Sequence, residues 1–377
     1  MDLDFTEEQD MLRNSARDFL STECDKAMVR QIEESEEGYS PEIWRKMAEL
    51  GWQGLLIPEE YDGMGMGLMD LVVIFEEIGR NILPSPFLVT VALGTPPIME
   101  GGSEDQKKEI LPRVSSGEAI LTLALTEPSA GYTADCVELK ADAQGDSFVL
   151  NGTKLFVEFA SASDYMVVVA RTKSGGDPEN GITLLLVDSK SPGIKIEPFA
   201  TTGMDKQCEV VFDNVSVPKG NIIGELDKGW PIMAKTLEKA TVAKCAEMVG
   251  GMQAVLDMSV AYAKERVQYG RPIGSFQAIQ HMLADMYLRV ETSKNILYQA
   301  ACMVSEGLPA AEKVAIAKGW CNEAYKKVTE DGVQVHGAIG TTRDHDMGLY
   351  YRRSKAAEPT FGDTESQREL VAQQLGL

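Results

Sequence analysis

The sequence lacks closely spaced cysteines, and histidines are few. Its six cysteines stand singly along 377 residues, with no CxxC pair, and its three histidines show no metal-ligand spacing. Structural zinc sites repeat Cys or His ligands at short spacings, and disulfide frameworks need cysteines that can pair. We therefore expect neither a disulfide scaffold nor a metal site.

Long apolar runs and an excess of positive charge are also missing. No apolar run approaches the roughly 20 residues that cross a bilayer, and the start MDLDFTEEQD is acidic, unlike a signal peptide. The chain has 36 Lys and Arg against 58 Asp and Glu, which gives a net charge of -22. Such a charge disfavours nucleic acids and anionic membranes. We expect a cytoplasmic protein without a membrane span and without a nucleic-acid partner.

The hydrophobic pattern changes twice along the chain. Residues 1–117 show helical spacing, with a capping box predicted at Thr6 and Gln9 and a helix start at Pro41. Residues 118–225 contain short β-rich runs, too close together for crossover helices. From residue 226 the helical period returns. Its longest apolar seam comprises Ile279, Leu283, Met286, Val290, Ser293, Leu297 and Ala300.

These patterns predict an α+β multidomain fold in three consecutive blocks. The blocks are an N-terminal helical domain (1–117), a middle antiparallel β-barrel or sandwich domain (118–225) and a C-terminal helical bundle domain (226–377). Each is of ordinary domain size.

Four short motifs occur in a characteristic order. ALTEPSAG lies at a strand end, NGTKLFVEFASASDYMVVVART makes two strands, ERVQYGRPIGSFQAIQ joins two helices, and QVHGAIGT ends another helix. In this order and at these separations the chain resembles the FAD-dependent acyl-CoA dehydrogenase family over essentially its whole length. The resemblance implies an oxidoreductase that introduces a C=C bond into an acyl-CoA by α-proton abstraction and β-hydride transfer to the flavin. It also implies that the C-terminal helical domain is a four-helix bundle. Further implications are an electron-transferring flavoprotein or similar acceptor, and a tetramer.

The resemblance assigns a set of residues to FAD. They are Leu125, Thr126, Phe156, Glu158, Arg266, Tyr269, Gln277, Gln334, Gly337 and Asp363. Arginine suits a pyrophosphate because its guanidinium forms paired bonds to phosphate oxygens. Plainer interpretations stay open: Thr126 as a cap of its own turn, Phe156 as core, and Gly337 as a helix C-cap.

The catalytic base is missing from both places where the resemblance implies it. α-Proton abstraction needs a carboxylate with a raised pKa within hydrogen-bond reach of the substrate. The two family positions for this glutamate are Phe361 and Ala240 in this sequence. Asp363 and Glu158 are candidate replacements, although Asp363 is also a plausible loop cap.

Three interpretations of the missing base remain open. Another carboxylate serves, or the chain is a base-lacking partner subunit that contributes FAD and interface contacts, or the site performs different thioester chemistry. The resemblance implies four substrate-binding residues, Tyr132, Thr90, Thr241 and Phe361. Their character favours a short, branched or cyclic acyl group.

Overall fold

A computed structural model describes residues 5–377 of the chain. This part contains eleven α-helices and a π-helical segment at Leu88–Gly94. The α-helices are α1 (Glu7–Glu23), α2 (Lys26–Glu34), α3 (Pro41–Glu49), α4 (Leu68–Asn81), α5 (Thr95–Gly101), α6 (Glu104–Ser115), α7 (Trp230–Glu265), α8 (Gln277–Ser305), α9 (Ala311–His336), α10 (Met347–Ala357) and α11 (Thr364–Gln374).

Local sequence signals place several helix starts. Gln9 N donates to Thr6 Oγ1 at 3.2 Å while Thr6 N donates to Gln9 Oε1 at 3.1 Å, which is the predicted capping box of α1. Pro41 is the first residue of α3, and the Ser40 hydroxyl accepts a hydrogen bond from Ile43 N. Both of these predicted helix starts are confirmed.

The β region forms an eight-stranded sheet within the described residues, in the order β6-β7-β3-β2-β4-β5-β8, with β1 also paired to β4. Its strands are β1 (Leu121–Ala124), β2 (Lys140–Gln144), β3 (Ser147–Glu158), β4 (Tyr165–Arg171), β5 (Ile182–Asp188), β6 (Ile194–Pro198), β7 (Gln207–Pro218) and β8 (Ile222–Ile223). Two further strands, β9 (Val267–Gln268) and β10 (Arg271–Pro272), form a separate hairpin.

The sheet is mainly antiparallel, as expected, but two strands depart from that pattern. β1 and β2 each pair with β4 in parallel. Parallel strands need a crossover connection, and the segment carrying β2 and β3 supplies it between β1 and β4. Apolar side chains such as Leu150, Val168 and Phe212 form the core of this region. The predicted α+β architecture of helices, middle β region and helices is confirmed.

The described chain divides into two compact units. The sheet unit comprises Ile32–Gly67 and Pro84–Ala240, and the helical unit comprises the described part of Met1–Gln31, Leu68–Leu83 and Thr241–Leu377. This spatial division differs from the three consecutive predicted segments, because α4 packs with the C-terminal helices. The segment boundaries at 117 and 225 stay predictions.

Glycines allow α4 and α7 to touch inside the helical unit. A Cβ added to Gly250 would lie 1.8 Å from the Glu76 carbonyl oxygen, and one added to Gly79 would lie 1.9 Å from the Glu247 carbonyl oxygen. No side chain fits at these distances, so the two backbones pack directly. On α8, five of the seven predicted seam residues are buried, whereas Ile279 and Leu283 are only half-buried.

Two features of other protein classes are absent from residues 5–377. None of the helices in this range combines the length and apolar character that a membrane crossing requires. The same residues include no cluster of three or more His, Cys, Asp or Glu side chains placed to hold a metal ion.

Candidate functional site

The turn after β1 presents a hydroxyl without a hydrogen-bond partner. The Thr126 carbonyl accepts a hydrogen bond from Leu155 N at 2.8 Å, which ties the turn to β3. Residue Thr126 is only 7% exposed, yet its hydroxyl oxygen is not fully buried and forms no hydrogen bond within residues 5–377. The Thr126 hydroxyl is therefore available to a ligand, and its assignment to FAD stays a prediction.

A buried ion pair holds this turn in place, and the sequence interpretation missed it. Lys154 Nζ donates to Glu127 Oε1 at 2.7 Å and to the Leu125 carbonyl at 2.8 Å. Glu127 Oε1 also accepts from the backbone N–H groups of Glu138 and Leu139. Burial lowers the pKa of Lys154 to about 8, while Glu127 acts in the opposite direction. A lysine inside the strand pattern NGTKLF was the available signal.

Phe156 projects from an irregular part of β3. The pairing of β3 with β7 shifts register between Lys154 and Val157, and Phe156 lies there with a left-handed backbone at φ 55°. Irregularities of this kind redirect side chains and are common beside active sites. The Phe156 side chain is 48% exposed, and its ring centroid lies 5.7 Å from that of Phe199. Phe156 is consequently a surface residue of the sheet unit rather than a core residue.

Glu158 ends β3 in the same part of the sheet unit. The Glu158 carbonyl accepts a hydrogen bond from Thr122 Oγ1 at 2.6 Å. Glu158 lies opposite Gln207 in the pairing of β3 with β7. Glu158 is half-buried. An unpartnered hydroxyl at Thr126, an exposed aromatic ring at Phe156 and this carboxylate lie on connected segments, and they fit a flat, polar-edged ring system such as a flavin.

The helical unit carries the predicted dinucleotide residues. Arg266 follows α7 and is exposed, and Tyr269 at the tip of the β9–β10 hairpin is 94% exposed with φ 52°. Gln277, the first residue of α8, is also exposed. These side chains have room for phosphate or partner contacts.

A ring stack links two of these predicted segments. The Tyr262 ring lies 4.6 Å from the His336 ring at an interplanar angle of 28°, and Tyr262 is four residues before Arg266. His336 comes two residues after Gln334, which is exposed. Gly337 has a backbone φ of 63°, and its N–H donates a hydrogen bond to the Gln334 carbonyl. Gly337 therefore also serves as the C-cap of α9.

The turn between α10 and α11 contains the position of the missing base. Phe361 is half-buried and left-handed at φ 60°, and its carbonyl accepts from Gln367 Nε2 at 2.8 Å. Asp363 caps α11, because its carboxylate accepts from Ser366 N at 2.9 Å and from Ser366 Oγ at 2.7 Å. These hydrogen bonds lower the pKa of Asp363. A general base for an α-proton needs the opposite shift, so this geometry favours Asp363 as a cap.

The other predicted positions have mixed environments. Ala240 and Thr241 are both buried on α7. The Thr90 hydroxyl donates to the Leu121 carbonyl at 3.1 Å and accepts from the Leu121 N–H at 3.3 Å. Its hydrogen bonds are therefore made to β1. Tyr132 is half-buried in the loop that follows the Thr126 turn.

Family models match nearly the whole chain in succession. They are described as the acyl-CoA dehydrogenase N-terminal domain over residues 6–118, the middle domain over 122–215 and the C-terminal domain over 227–376. Together they cover all three blocks that the sequence pattern distinguishes.

Individual proteins match over their full length. The chain is 35% identical to the 3-(aryl)acrylate reductase of Clostridium sporogenes, covering 98% of this chain and 99% of the relative. It is 32% identical to the caffeyl-CoA reductase-Etf complex subunit CarC of Acetobacterium woodii, covering 98% of both. The solved structure of butyryl-CoA dehydrogenase from Megasphaera elsdenii superimposes with a TM-score of 0.92 at 29% identity, covering 100% of both chains.

Proposed function

The chain belongs to the acyl-CoA dehydrogenase family of FAD-dependent enzymes acting on CH–CH groups, and from that premise we propose a specific reaction. The protein interconverts a short, branched or cyclic acyl-CoA with its α,β-unsaturated counterpart. Electrons pass to or from an electron-transferring flavoprotein. The observation that carries the proposal is the unpartnered Thr126 hydroxyl, whose turn is bonded to the strand segment that carries the exposed Phe156 ring.

The chain's own residues have separate tasks in this reaction. Bound FAD supplies the acceptor for the β-hydride. The Thr126 hydroxyl would orient the ring system by a hydrogen bond, and Phe156 would pack against its face. Arg266 and Gln334 would hold the dinucleotide part, within a tetramer. Glu158 is the carboxylate that fits best for the α-proton, because Asp363 is committed to capping α11.

The reverse direction would use the same residues. Reduction of an enoyl-CoA delivers a hydride to Cβ and a proton to Cα, so the proton donor stands where the base stands in oxidation. A relative named as a 3-(aryl)acrylate reductase and another named as a caffeyl-CoA reductase-Etf complex subunit support both this direction and the flavoprotein partner.

Phe361 favours a second candidate function. An aromatic side chain at the family's base position cannot accept a proton, and the other position is the buried Ala240. The second candidate is a base-lacking subunit whose Arg266 and Gln334 segments serve the FAD of a partner that carries the glutamate.

An anaerobic titration tests the first proposal. The purified chain is mixed with isobutyryl-CoA, isovaleryl-CoA or cyclohexanecarbonyl-CoA, and the visible absorbance of its flavin is followed, with octanoyl-CoA as the straight-chain comparison. Bleaching by the branched or cyclic esters is expected, and its loss in Glu158→Gln with the flavin retained supports the assigned base. A colourless chain that takes up no added FAD contradicts the proposal.

The same titration separates the two candidates. Activity of the lone chain rules out the base-lacking role. Flavin that stays oxidised with every ester, but is bleached after co-expression with a glutamate-carrying paralogue that co-purifies at equal stoichiometry, supports it.

A further inference from the structure

A fully buried lysine faces the turn that carries Phe361. Lys318 lies on α9 with no exposed surface, and its ammonium points at the end of α10. Nζ donates to the carbonyl oxygens of Glu358 at 2.9 Å, Gly362 at 3.1 Å and Ala357 at 3.2 Å. One side chain thus joins both ends of a turn of five residues.

Lys318 has an unusual set of partners for a buried ammonium. Among residues 5–377 it forms no ion pair, in contrast to Lys154 with Glu127. Burying an unpaired charge costs several kcal/mol, and burial lowers the pKa of Lys318 to about 8. An ammonium offers three N–H groups on a flexible stem and can therefore satisfy several converging carbonyls. An apolar side chain would pack at this position without that cost, so packing alone does not account for a lysine.

Two neutral side chains complete the arrangement. Asn322, one helical turn after Lys318, accepts from Lys318 Nζ through Oδ1 and directs Nδ2 toward the Gly362 carbonyl at 3.4 Å. Gln367 on α11 donates to the Phe361 carbonyl at 2.8 Å. Lys318, Asn322 and Gln367 are all buried.

The held turn contains strained backbone. Phe361 has φ 60°, a region that L-residues other than Gly seldom occupy, and Gly362 follows at φ 101°. Such conformations cost of order 1–3 kcal/mol and persist only where neighbouring groups determine them. The three buried side chains hydrogen-bond the carbonyl groups of this turn, including those of Phe361 and Gly362.

We propose that Lys318 is a positioning residue, which with Asn322 and Gln367 fixes the Glu358–Gly362 turn so that Phe361 meets the acyl thioester in one defined place. The part that concerns the thioester rests on the proposed function. The fixing of the turn rests only on the hydrogen bonds that these three side chains make to its backbone, so the two parts can fail separately.

The first experiment compares Lys318→Met with Lys26→Met by hydrogen exchange. Lys26 is a matched control in the same unit, because its Nζ also donates to a helix-end carbonyl, that of Asn81 at 2.7 Å, and its pKa is also lowered to about 8. We expect amide exchange in the peptide spanning residues 357–363 to become at least ~10-fold faster in Lys318→Met. Lys26→Met should leave that peptide unchanged. Equal exchange in both variants overturns the positioning role.

The second experiment measures binding of isobutyryl-CoA to the flavin-loaded protein. Lys318→Met should raise the Kd at least ~10-fold, about 1.4 kcal/mol, while its melting temperature stays within the range of Lys26→Met. A Kd that changes equally in both variants means general destabilisation and overturns the role. If wild type does not bind this ester, the proposed function has failed for it, and the exchange result alone decides whether the turn is held.

Gln367→Met covers the case in which Lys318→Met does not fold. It removes only the hydrogen bond to the Phe361 carbonyl, from a residue at the edge of the arrangement. The proposal requires faster exchange in the 357–363 peptide for this variant too, and unchanged exchange contradicts it.

Discussion

The ammonium of Lys154 lies 2.7 Å from a carboxylate oxygen of Glu127, with both side chains withdrawn from solvent. Because Lys154 also donates to the Leu125 carbonyl, the pair fixes the backbone on which Thr126 sits. The candidate flavin contact therefore depends on two residues that need not touch the cofactor themselves.

Breaking this pair should weaken both the fold and cofactor retention. Lys154→Met leaves the Glu127 carboxylate buried without its cation, which typically costs about 3–5 kcal/mol. Urea denaturation should show that loss, and the purified variant should contain less flavin per chain. The control is Lys235→Met, which breaks the exposed pair with Glu100 and should cost about 0–1 kcal/mol. Similar losses in the two variants would contradict the role of the buried pair.

Removing the Thr126 hydroxyl should affect FAD binding more than stability. Thr126→Val deletes a group that has no partner in residues 5–377, so the apo-protein should unfold at nearly the same urea concentration. Its FAD affinity should fall about 10-fold, measured by flavin fluorescence, since a ligand hydrogen bond is worth about 1–1.5 kcal/mol. Thr122→Val should instead lower the stability of the apo-protein, because its hydroxyl already donates to the Glu158 carbonyl. Unaltered FAD affinity in Thr126→Val would reject this assignment.

Phe361 offers a gain-of-function test. Phe361→Glu places a carboxylate at the family's base position, and we expect faster exchange of the α-proton of isobutyryl-CoA, followed by NMR in deuterium oxide. Phe361→Gln is the matched control, since it has the same shape without the charge. Both replacements keep an unbranched Cβ, which tolerates φ 60° better than a β-branched residue does. Equal rates for the two variants would show that the added carboxylate does not reach the substrate.

The contact between α4 and α7 predicts sensitivity to one methyl group. Gly250→Ala would place Cβ 1.8 Å from the Glu76 carbonyl, so the helices must separate, at a cost of about 1–3 kcal/mol or more. Gly348→Ala on α10 is the control, because its nearest contact would be at 3.8 Å. That variant should be neutral or slightly stabilising through helix propensity. Thermal unfolding of both proteins distinguishes steric conflict from a general effect of the substitution.

Glu76 predicts a pH dependence of stability. Desolvation raises its pKa above the ordinary value of 4.5, although Tyr298, which donates to Oε1 at 2.7 Å, and Arg13 oppose the shift. The folded state then holds the proton more tightly than the unfolded state, so the contribution of Glu76 to the free energy of unfolding falls as pH rises above 4.5. Glu76→Gln should flatten this part of the profile, measured by urea denaturation at several pH values. An unchanged slope would contradict the shift.

Much of the architecture follows from local patterns in the sequence. The capping box at Thr6, the start of α3 at Pro41 and most of the α8 seam depend on residues close in the chain. The parallel pairing of β1 with β4 was missed, because it joins strands about 40 residues apart. Ile279 and Leu283 fit the seam by spacing yet lie where α8 is less covered.

The candidate site depends even more on residues that are distant in the sequence, and these could not be predicted from local patterns. Motif order pointed to Thr126 and Phe156, but not to Lys154 or Lys318, whose tasks depend on carbonyl groups elsewhere in the fold. A lysine in a sequence is usually a solvated surface residue. Only the assembled structure shows which lysines are withdrawn from water. The choice between Asp363 as a base and as a cap likewise required the position of Ser366.

Two lysines without any exposed surface, Lys154 and Lys318, also report on local opening of the protein. Amine-reactive reagents modify surface lysines at once, whereas Lys154 and Lys318 are shielded until their surroundings open. One belongs to the sheet unit and the other to the helical unit. Mass spectrometry of the labelled peptides would therefore time the opening around each lysine separately, without any substitution in the chain.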